Sequence, residues 1–224
     1  TIAMFDYPAF NKKLTKLGLT PYNAFGCALR YVFRPRPEIF LPILPTLESL
    51  IQPNTLKIAI HIRTHDGVLV FGNRINFATY AAWFTCAEQI EKFSNSKGQY
   101  ENVIWLLFTD SIELREKASE HYGEKLKTPT DVTIEHSAKE MICPGQTCVS
   151  NEGFQTAASE WWSLGLADYH VIGIQGGYGK TALMRAGRLN ETYIIYPDQT
   201  PRETKCSRKK YGQVSSIKLA YAGI

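Results

Sequence analysis

The sequence predicts an α/β fold in which a Rossmann-like parallel sheet is flanked by helices. From Leu56 onward, short apolar runs alternate with longer segments of helical spacing, an alternation typical of strands joined by crossover helices. The run at residues 102–108 is almost wholly apolar, as expected for a strand covered on both faces. We therefore divide the chain into a helical segment, residues 1–54, and a sheet domain, residues 55–224.

Composition limits the classes of protein to consider. The chain has 224 residues, of which 44% are hydrophobic and 21% charged, so it is globular rather than a disordered tail or a fibre. Its net charge of +4 is too small for a protein that wraps duplex nucleic acid and suits an anionic small ligand. No apolar run reaches the roughly 18 residues of a membrane helix, and no signal-peptide pattern is present. A start at Thr1 is compatible with a piece of a longer protein.

Periodicity assigns the individual elements. Two helices are predicted in the first segment, separated by the break at residues 34–37, where prolines alternate with arginines. In the first strand, alternate residues share a face, so Ile58, Ile60 and Ile62 lie opposite His61 and Arg63. The predicted helices are 24–32, 39–50, 76–93, 112–122, 153–167 and the segment from the glycine loop to 188, and the predicted strands are 56–63, 102–108, 169–174 and 193–196.

Five cysteines are too few for a disulfide-framework miniprotein. Cys143 and Cys148 bracket a turn-prone loop that a disulfide would close, and free or otherwise paired thiols are the main alternative. Zinc is the least favoured interpretation, because with His136 a fourth ligand is still missing. The sequon at residues 190–192 is compatible with passage through a secretory compartment.

Candidate ligand-binding residues follow the predicted strands, because ligands of open parallel sheets bind outside the carboxyl ends of the strands. The first strand ends in HIRTHD, residues 61–66, and the second in TDS, residues 109–111. The third strand opens into a glycine loop, residues 175–179, followed by Lys180 and Thr181. A guanidinium, backbone amides freed by glycine and a helix N-terminus are what a diphosphate requires. This combination predicts a nucleoside-diphosphate site.

Each candidate also has a purely structural interpretation. Arg63 would be an ordinary ion-pair partner, and His61 a satisfied buried histidine. Asp110 would be the N-cap of the following helix, with Glu113 completing a capping box. The glycine loop would be only a tight turn.

Two common nucleotide-binding motifs are excluded by spacing. Residues 179–181, GKT, invite a Walker A interpretation, but the first glycine of that motif would fall at Ile174, one residue after Gly173. No G-x-G-x-x-G opens the first turn between strand and helix.

Three stretches of the chain resemble motifs of one enzyme family. Residues 58–66 read IAIHIRTHD, residues 160–168 read EWWSLGLAD, and residues 176–182 follow as GGYGKTA. The first resembles the H-x-R-x-x-D signature of GDP-fucose-dependent fucosyltransferases, as found in α1,6-fucosyltransferases and protein O-fucosyltransferases. The second resembles the pattern of plant xyloglucan fucosyltransferases, and residues 25–35 are similar to the stretch before the first motif in those enzymes. The resemblance covers roughly residues 25–200.

The resemblance implies a GT-B glycosyltransferase, which has two facing Rossmann-like domains, with this chain as the donor-binding half. Residues 1–54 would then be the end of an N-terminal acceptor domain or an interdomain region. Arg63 would bind the β-phosphate of GDP-fucose and neutralise the leaving group, and His61 would contact the nucleotide. Glu160 would accept hydrogen bonds from the guanine edge. The implied donor-binding set also contains Asp110, Gly176, Gly177, Tyr178, Lys180 and Thr181.

The sequence departs from the family motifs at several positions. The second arginine that often follows the motif arginine is Thr64 here. The loop serine and threonine of the plant enzymes are Gly176 and Gly177, which removes two hydroxyl donors. Phe71 stands where the α1,6 enzymes place a catalytic glutamate. Asp66, the motif aspartate, is the second catalytic candidate, and the general base stays unassigned.

The implied function is transfer of L-fucose from GDP-fucose to a glycan or protein hydroxyl, with inversion. No D-x-D triplet occurs in the sequence, so we expect a metal-independent reaction with no cofactor besides the donor. The expected partners are a nucleotide sugar and a glycan or glycoprotein acceptor, without nucleic acid, and with a membrane only through an anchor elsewhere. The expected location is the secretory pathway, in the Golgi lumen. A binding-only relative, or an enzyme that uses another nucleotide sugar, is the alternative.

Overall fold

The structure is a computed structural model that describes residues 5, 7–21, 23–64, 74–96, 98–135, 150–174, 177–196 and 200–206. Within these residues the strands form one parallel five-stranded sheet in the order β3-β2-β1-β4-β5. This confirms the predicted fold class, a Rossmann-like α/β sheet with flanking helices. The strands are β1 Thr55–Ile62, β2 Asn102–Thr109, β3 Leu126–Lys127, β4 Tyr169–Gly173 and β5 Thr192–Ile195.

Helices cover both faces of the sheet. The α-helices are α1 Pro8–Lys16, α2 Ala24–Val32, α3 Leu44–Leu50, α4 Ala81–Ser94, α5 Ile112–Tyr122, α6 Asn151–Leu164 and α7 Gly177–Ala186. Short 3₁₀ helices occupy Pro37–Ile43, Phe77–Tyr80, Gly123–Lys125 and Leu189–Glu191.

The predicted alternation in β1 is confirmed, and it explains why the sheet is covered twice. Ile58, Ile60 and Ile62 pack in one buried cluster with side chains of α4 and α5. Ala59, on the opposite face, packs in a second cluster with Leu164 of α6 and residues of α3 and α7. Burial on both faces leaves the strand ends as the places where polar side chains reach an open cavity.

Three elements differ from the sequence-based predictions. The helix predicted over residues 39–50 is a 3₁₀ helix, Pro37–Ile43, followed by the short α3, because Pro42 and Pro45 lack the amide hydrogen that a continuous α-helix needs. The sequence-based prediction also lacks helix α1, which buries none of its residues. Strand β3 was missed because two residues carry no periodicity.

A disulfide fixes the end of the described chain to α4. Cys86 in α4 bonds Cys206, with Cα atoms 5.4 Å apart and a separation of 120 positions in sequence. The amide side chain of Gln89 donates to the Thr204 carbonyl at 2.9 Å and accepts from the Cys206 amide at 2.8 Å. The disulfide that the sequence favoured, Cys143–Cys148, lies outside the described residues.

The helical segment packs directly on the helices of the sheet domain. A Cβ atom on Gly26 of α2 would lie 2.6 Å from the Met184 carbonyl oxygen of α7, so only glycine allows this approach of the two backbones. The Gln155 amide in α6 donates to the Glu38 carbonyl at 2.7 Å. The boundary between residues 1–54 and 55–224 stays a prediction.

Loss of the Cys86–Cys206 bond is expected to lower the free energy of unfolding by about 2–5 kcal/mol, because the closed loop is long. Urea unfolding of Cys86→Ser, compared with the unmodified chain in oxidising buffer, measures the loss. Cys27→Ser is the matched control, because Cys27 forms no disulfide with another described cysteine. Equal stabilities of Cys86→Ser and Cys27→Ser would contradict the prediction.

Candidate functional site

The candidate site lies at the carboxyl end of the sheet, where the strand order changes direction. From β1 the chain moves outward to β2 and β3, and then returns to β4 on the other side of β1. Such a switch point is where open α/β sheets bind ligands. A cavity of about 240 Å³ opens here, and its lining residues are His61, Arg63, Thr109, Asp110, Arg115, Thr133, Ile134, Glu135, Gly153, Thr156, Ala157, Glu160 and Tyr178.

His61 packs against two consecutive residues at the start of α7. Its ring stacks on the Tyr178 ring, with centroids 5.2 Å apart. A Cβ atom on Gly179 would lie 2.8 Å from Nδ1 of His61, so glycine is required for this contact. The Tyr178 hydroxyl donates to the Ala157 carbonyl of α6 at 2.5 Å, which links β1, α6 and α7 around one stack.

Burial keeps His61 uncharged at neutral pH. Desolvation, with a smaller contribution from the positive charge of Arg63, lowers the pKa of His61 to about 4. Burial also raises the pKa of Tyr178 well above its ordinary value. The stacked pair is therefore neutral, and the charges in the cavity come from its arginines and carboxylates.

Arg63 forms an ion pair with Asp110, which follows β2. The same carboxylate accepts hydrogen bonds from the amide and the hydroxyl of Thr64, both at 2.8 Å. Asp110 thus joins the ends of β1 and β2. Arg63 also lines the cavity and keeps 29% of its side chain exposed, so it is accessible to a ligand.

The predicted capping role of Asp110 is wrong. Ser111 is the N-cap of α5, because its hydroxyl oxygen accepts from the Leu114 amide at 3.2 Å. Glu113 completes no capping box in this helix. It accepts instead from the Ile75 amide at 3.2 Å and from Lys117 at 2.6 Å.

Glu160 is buried beside a partner that the sequence did not reveal. Its Oε1 lies 2.8 Å from Nη2 of Arg115, a residue of α5 that is itself only 2% exposed. Desolvation raises the pKa of Glu160, and the Arg115 charge acts in the opposite direction. Arg115 stands in a strongly charged helix, so no pattern marked it as buried.

The residues of the glycine loop are only partly described. Gly176, like His65 and Asp66, lies outside the described residues. The Thr181 hydroxyl accepts from Nε1 of Trp161 at 3.0 Å and donates within the first turn of α7, to the Gly177 carbonyl at 2.8 Å. Lys180 is buried, which lowers its pKa, and Lys180 and Thr181 are not among the residues that line the cavity.

Two further features bear on ligands. Among the described residues, no three His, Cys, Asp or Glu side chains are grouped closely enough to hold a metal ion. Within the same part of the chain, no helix is long and apolar enough to span a membrane.

The fold is similar to that of a solved protein. The structure of an arginine-to-lysine variant of the fucosyltransferase FUT1 from Arabidopsis thaliana, in complex with GDP, matches with a TM-score of 0.57 and 16% sequence identity. The match covers 88% of this chain and 41% of the FUT1 chain, so this chain corresponds to less than half of that protein. No protein-family model matches the sequence, and no curated protein does. The chain therefore has a fucosyltransferase-like fold.

Gly179→Ala is expected to displace His61 and thereby weaken binding in the cavity, because the new methyl group would meet the imidazole ring. With GDP as the probe for the cavity, an overpacking cost of about 1–3 kcal/mol corresponds to a loss of about 10-fold or more in affinity. Gly187→Ala is the control: its φ of +72° makes it a strained backbone site with no atom within 4 Å of the added Cβ. If Gly179→Ala binds GDP as tightly as the unmodified chain, the close contact with His61 has no role in binding.

Proposed function

We propose that this chain is the donor-binding part of a glycosyltransferase that moves L-fucose from GDP-fucose to a glycan or protein hydroxyl. One observation carries the proposal: a cavity at the switch point of the sheet combines an accessible guanidinium with a buried carboxylate. A nucleotide diphosphate has two chemically different ends that match these groups. The similarity in fold to GDP-bound FUT1 supports the same interpretation.

The two ends of the donor occupy different walls of the cavity in this proposal. Arg63, at the end of β1, binds the diphosphate with its planar fork, assisted by the N-terminus of α7. Glu160, on α6, accepts hydrogen bonds from the guanine edge. His61 and Tyr178 form an uncharged wall of the cavity between Arg63 and Glu160. Because this wall carries no charge, it does not attract other ions.

In the transfer step, the acceptor hydroxyl attacks the anomeric carbon of fucose, the bond from that carbon to the diphosphate oxygen breaks, and GDP leaves with the bonding electrons. Arg63 stabilises the charge that develops on GDP, which is the role that a metal fulfils in other enzymes. We propose that the reaction needs no metal. Asp66, three residues after Arg63 in the sequence, is the second catalytic candidate, and a base removes the acceptor proton.

The described contacts change the roles proposed for two residues of α7. The Thr181 hydroxyl is engaged in the first turn of its own helix and with Trp161, so it orders the loop and does not donate to phosphate. Lys180 is buried outside the cavity lining, so its contribution is limited to the positive potential around the helix N-terminus.

We also propose that the chain acts in the secretory pathway. Two observations support this location: the Cys86–Cys206 disulfide, which belongs to oxidising compartments, and the exposed Asn190 of the sequon. The Golgi lumen is the compartment that fits a fucosyltransferase. The acceptor is a glycan or glycoprotein.

GDP is expected to bind more tightly than UDP or ADP, because a buried carboxylate that faces the wrong base edge loses its donors at a cost of about 1–3 kcal/mol. Calorimetry with the three nucleotides measures the difference. Glu160→Gln should lower the affinity for GDP by roughly 5- to 150-fold and change the affinity for UDP little. Glu152→Gln, an exposed position in the first turn of the same helix, is the matched control. Equal affinities for GDP and UDP would reject the guanine assignment.

Arg63→Lys is expected to lower fucose transfer about 100- to 1000-fold, or about 3–4 kcal/mol, because lysine keeps the charge but loses the bidentate fork. Turnover of GDP-fucose, with and without EDTA, and the melting temperature are measured on one preparation. Asp110→Asn, which removes the ion-pair partner of Arg63, separates the two roles of the arginine. If the Arg63→Lys protein is less stable but transfers fucose at the normal rate, Arg63 has only a structural role. If the unmodified chain binds the donor but does not turn it over, the chain is a binding-only relative.

A further inference from the structure

Arg115 is anchored in a way that a simple ion-pair partner does not require. Its Nε and Nη2 donate to the Thr109 carbonyl at 3.1 and 2.5 Å, and its Nη1 donates to the Pro129 carbonyl at 2.8 Å. These carbonyls belong to the end of β2 and to the segment after β3. Two backbone carbonyls near the carboxyl edge of the sheet therefore hold the guanidinium, in addition to its contact with Glu160 on α6.

The contact with Glu160 leaves one side of the carboxylate for a ligand. Oε1, at 2.8 Å from Arg115, is inaccessible to solvent and lacks the alignment of a hydrogen bond to a described donor. The side chain of Glu160 nevertheless lines the cavity and keeps 8% of its surface exposed. Oε1 is turned to Arg115, so Oε2 is the acceptor that a base in the cavity meets first.

The charge on Glu160 depends on this neighbour. A carboxylate buried without a cation takes up a proton, because desolvation penalises the charged form. An ionised carboxylate only accepts hydrogen bonds, whereas a protonated one also donates. The ionised carboxylate matches the two adjacent donors on the guanine edge. The protonated carboxyl group matches an edge with one donor and one acceptor, as in adenine.

We propose that Arg115 is a positioning and specificity-determining residue, which holds Glu160 ionised and oriented so that the site selects guanine over adenine. This inference rests on the proposed function, because it takes Glu160 as the group that contacts the base. Arg115 itself does not touch the nucleotide. It acts only through Glu160.

Other groups around the cavity do not replace Arg115. The remaining titratable and charged side chains that line it are His61, Arg63, Asp110, Glu135 and Tyr178. Arg63 is paired with Asp110, and His61 is neutral above about pH 4. Glu135 accepts from the Ser150 amide at 2.6 Å and is a carboxylate, so it supplies no positive charge to Glu160.

The decisive experiment is a comparison of Arg115→Met in two backgrounds, with dissociation constants for GDP and ADP measured by calorimetry between about pH 5 and pH 8. In the otherwise unmodified chain, Arg115→Met should lower the affinity for GDP by about 10-fold or more at neutral pH and reduce the preference for GDP over ADP. Raising the pH should restore part of the GDP affinity, because Glu160 then ionises. Arg115→Lys, which keeps the charge, should retain more of the guanine preference.

In the Glu160→Gln background, Arg115→Met should change neither the GDP affinity nor its pH profile. The double variant buries no charge at these two positions, so it is expected to fold even if Arg115→Met alone does not. Lys117→Met, which removes a half-buried cation outside the cavity from the same helix, controls for the overall charge. Two outcomes would overturn the inference and leave the proposed function intact. One is a lower GDP affinity in the double variant than in Glu160→Gln. The other is a ratio of GDP to ADP affinity in both Arg115→Met and Arg115→Lys that equals the ratio of the unmodified chain. Failure of the unmodified chain to bind GDP would overturn both.

Discussion

The central position of β1 is the constraint on which the rest of the structure depends. All eight of its residues pair with β2, and four of them, residues 58–61, pair also with β4. A strand with neighbours on both edges and helices on both faces has no solvent-exposed side along its length. Polar chemistry is therefore confined to the end of the strand, where His61 and Arg63 lie, and the crossover helices bring their own residues to the same place.

The site is built from charges that the fold partly neutralises. Asp110 binds Arg63 and the Thr64 amide, and Arg115 binds Glu160, so each charged group of these pairs has an opposite partner within the protein. Burying a charge without such a partner costs several kcal/mol, of the order of the whole stability of a domain. The pairs differ in accessibility, however, because Arg63 keeps 29% of its side chain exposed while Arg115 keeps 2%. This asymmetry leaves one cation available to a ligand and commits the other to the framework.

Much of the fold could be predicted because burial leaves a period in the sequence. The alternation of Ile58, Ile60 and Ile62 identified β1, and the apolar run of β2 identified a doubly covered strand. Features without a period were missed. Strand β3, for example, has only two residues. The structural alternative for Asp110, the N-cap of α5, is wrong because Ser111 caps the helix; the two residue types have similar capping preferences, and only the three-dimensional position of the carboxylate distinguishes them.

The candidate site was predictable only as far as it follows the strand ends. His61, Arg63, Asp110 and Tyr178, which follow strand ends, line one cavity together with Glu160, a residue of α6 that only the family resemblance indicated. Lys180 and Thr181 do not, because helical geometry turns them away from the cavity after the first residues of α7. Arg115 was not foreseen, since whether one charged residue in a strongly charged helix is buried depends on what packs against it.

The contact between α2 and α7 has a mechanical consequence. Gly26 lets the backbone of α2 approach the last residues of α7, where an added Cβ atom would lie 2.6 Å from the Met184 carbonyl oxygen and 2.8 Å from that of Arg185. Near its other end, α7 carries Tyr178, whose ring stacks on His61 in the cavity. A larger residue at position 26 would therefore press on the end of the same helix whose first turn forms part of the cavity wall.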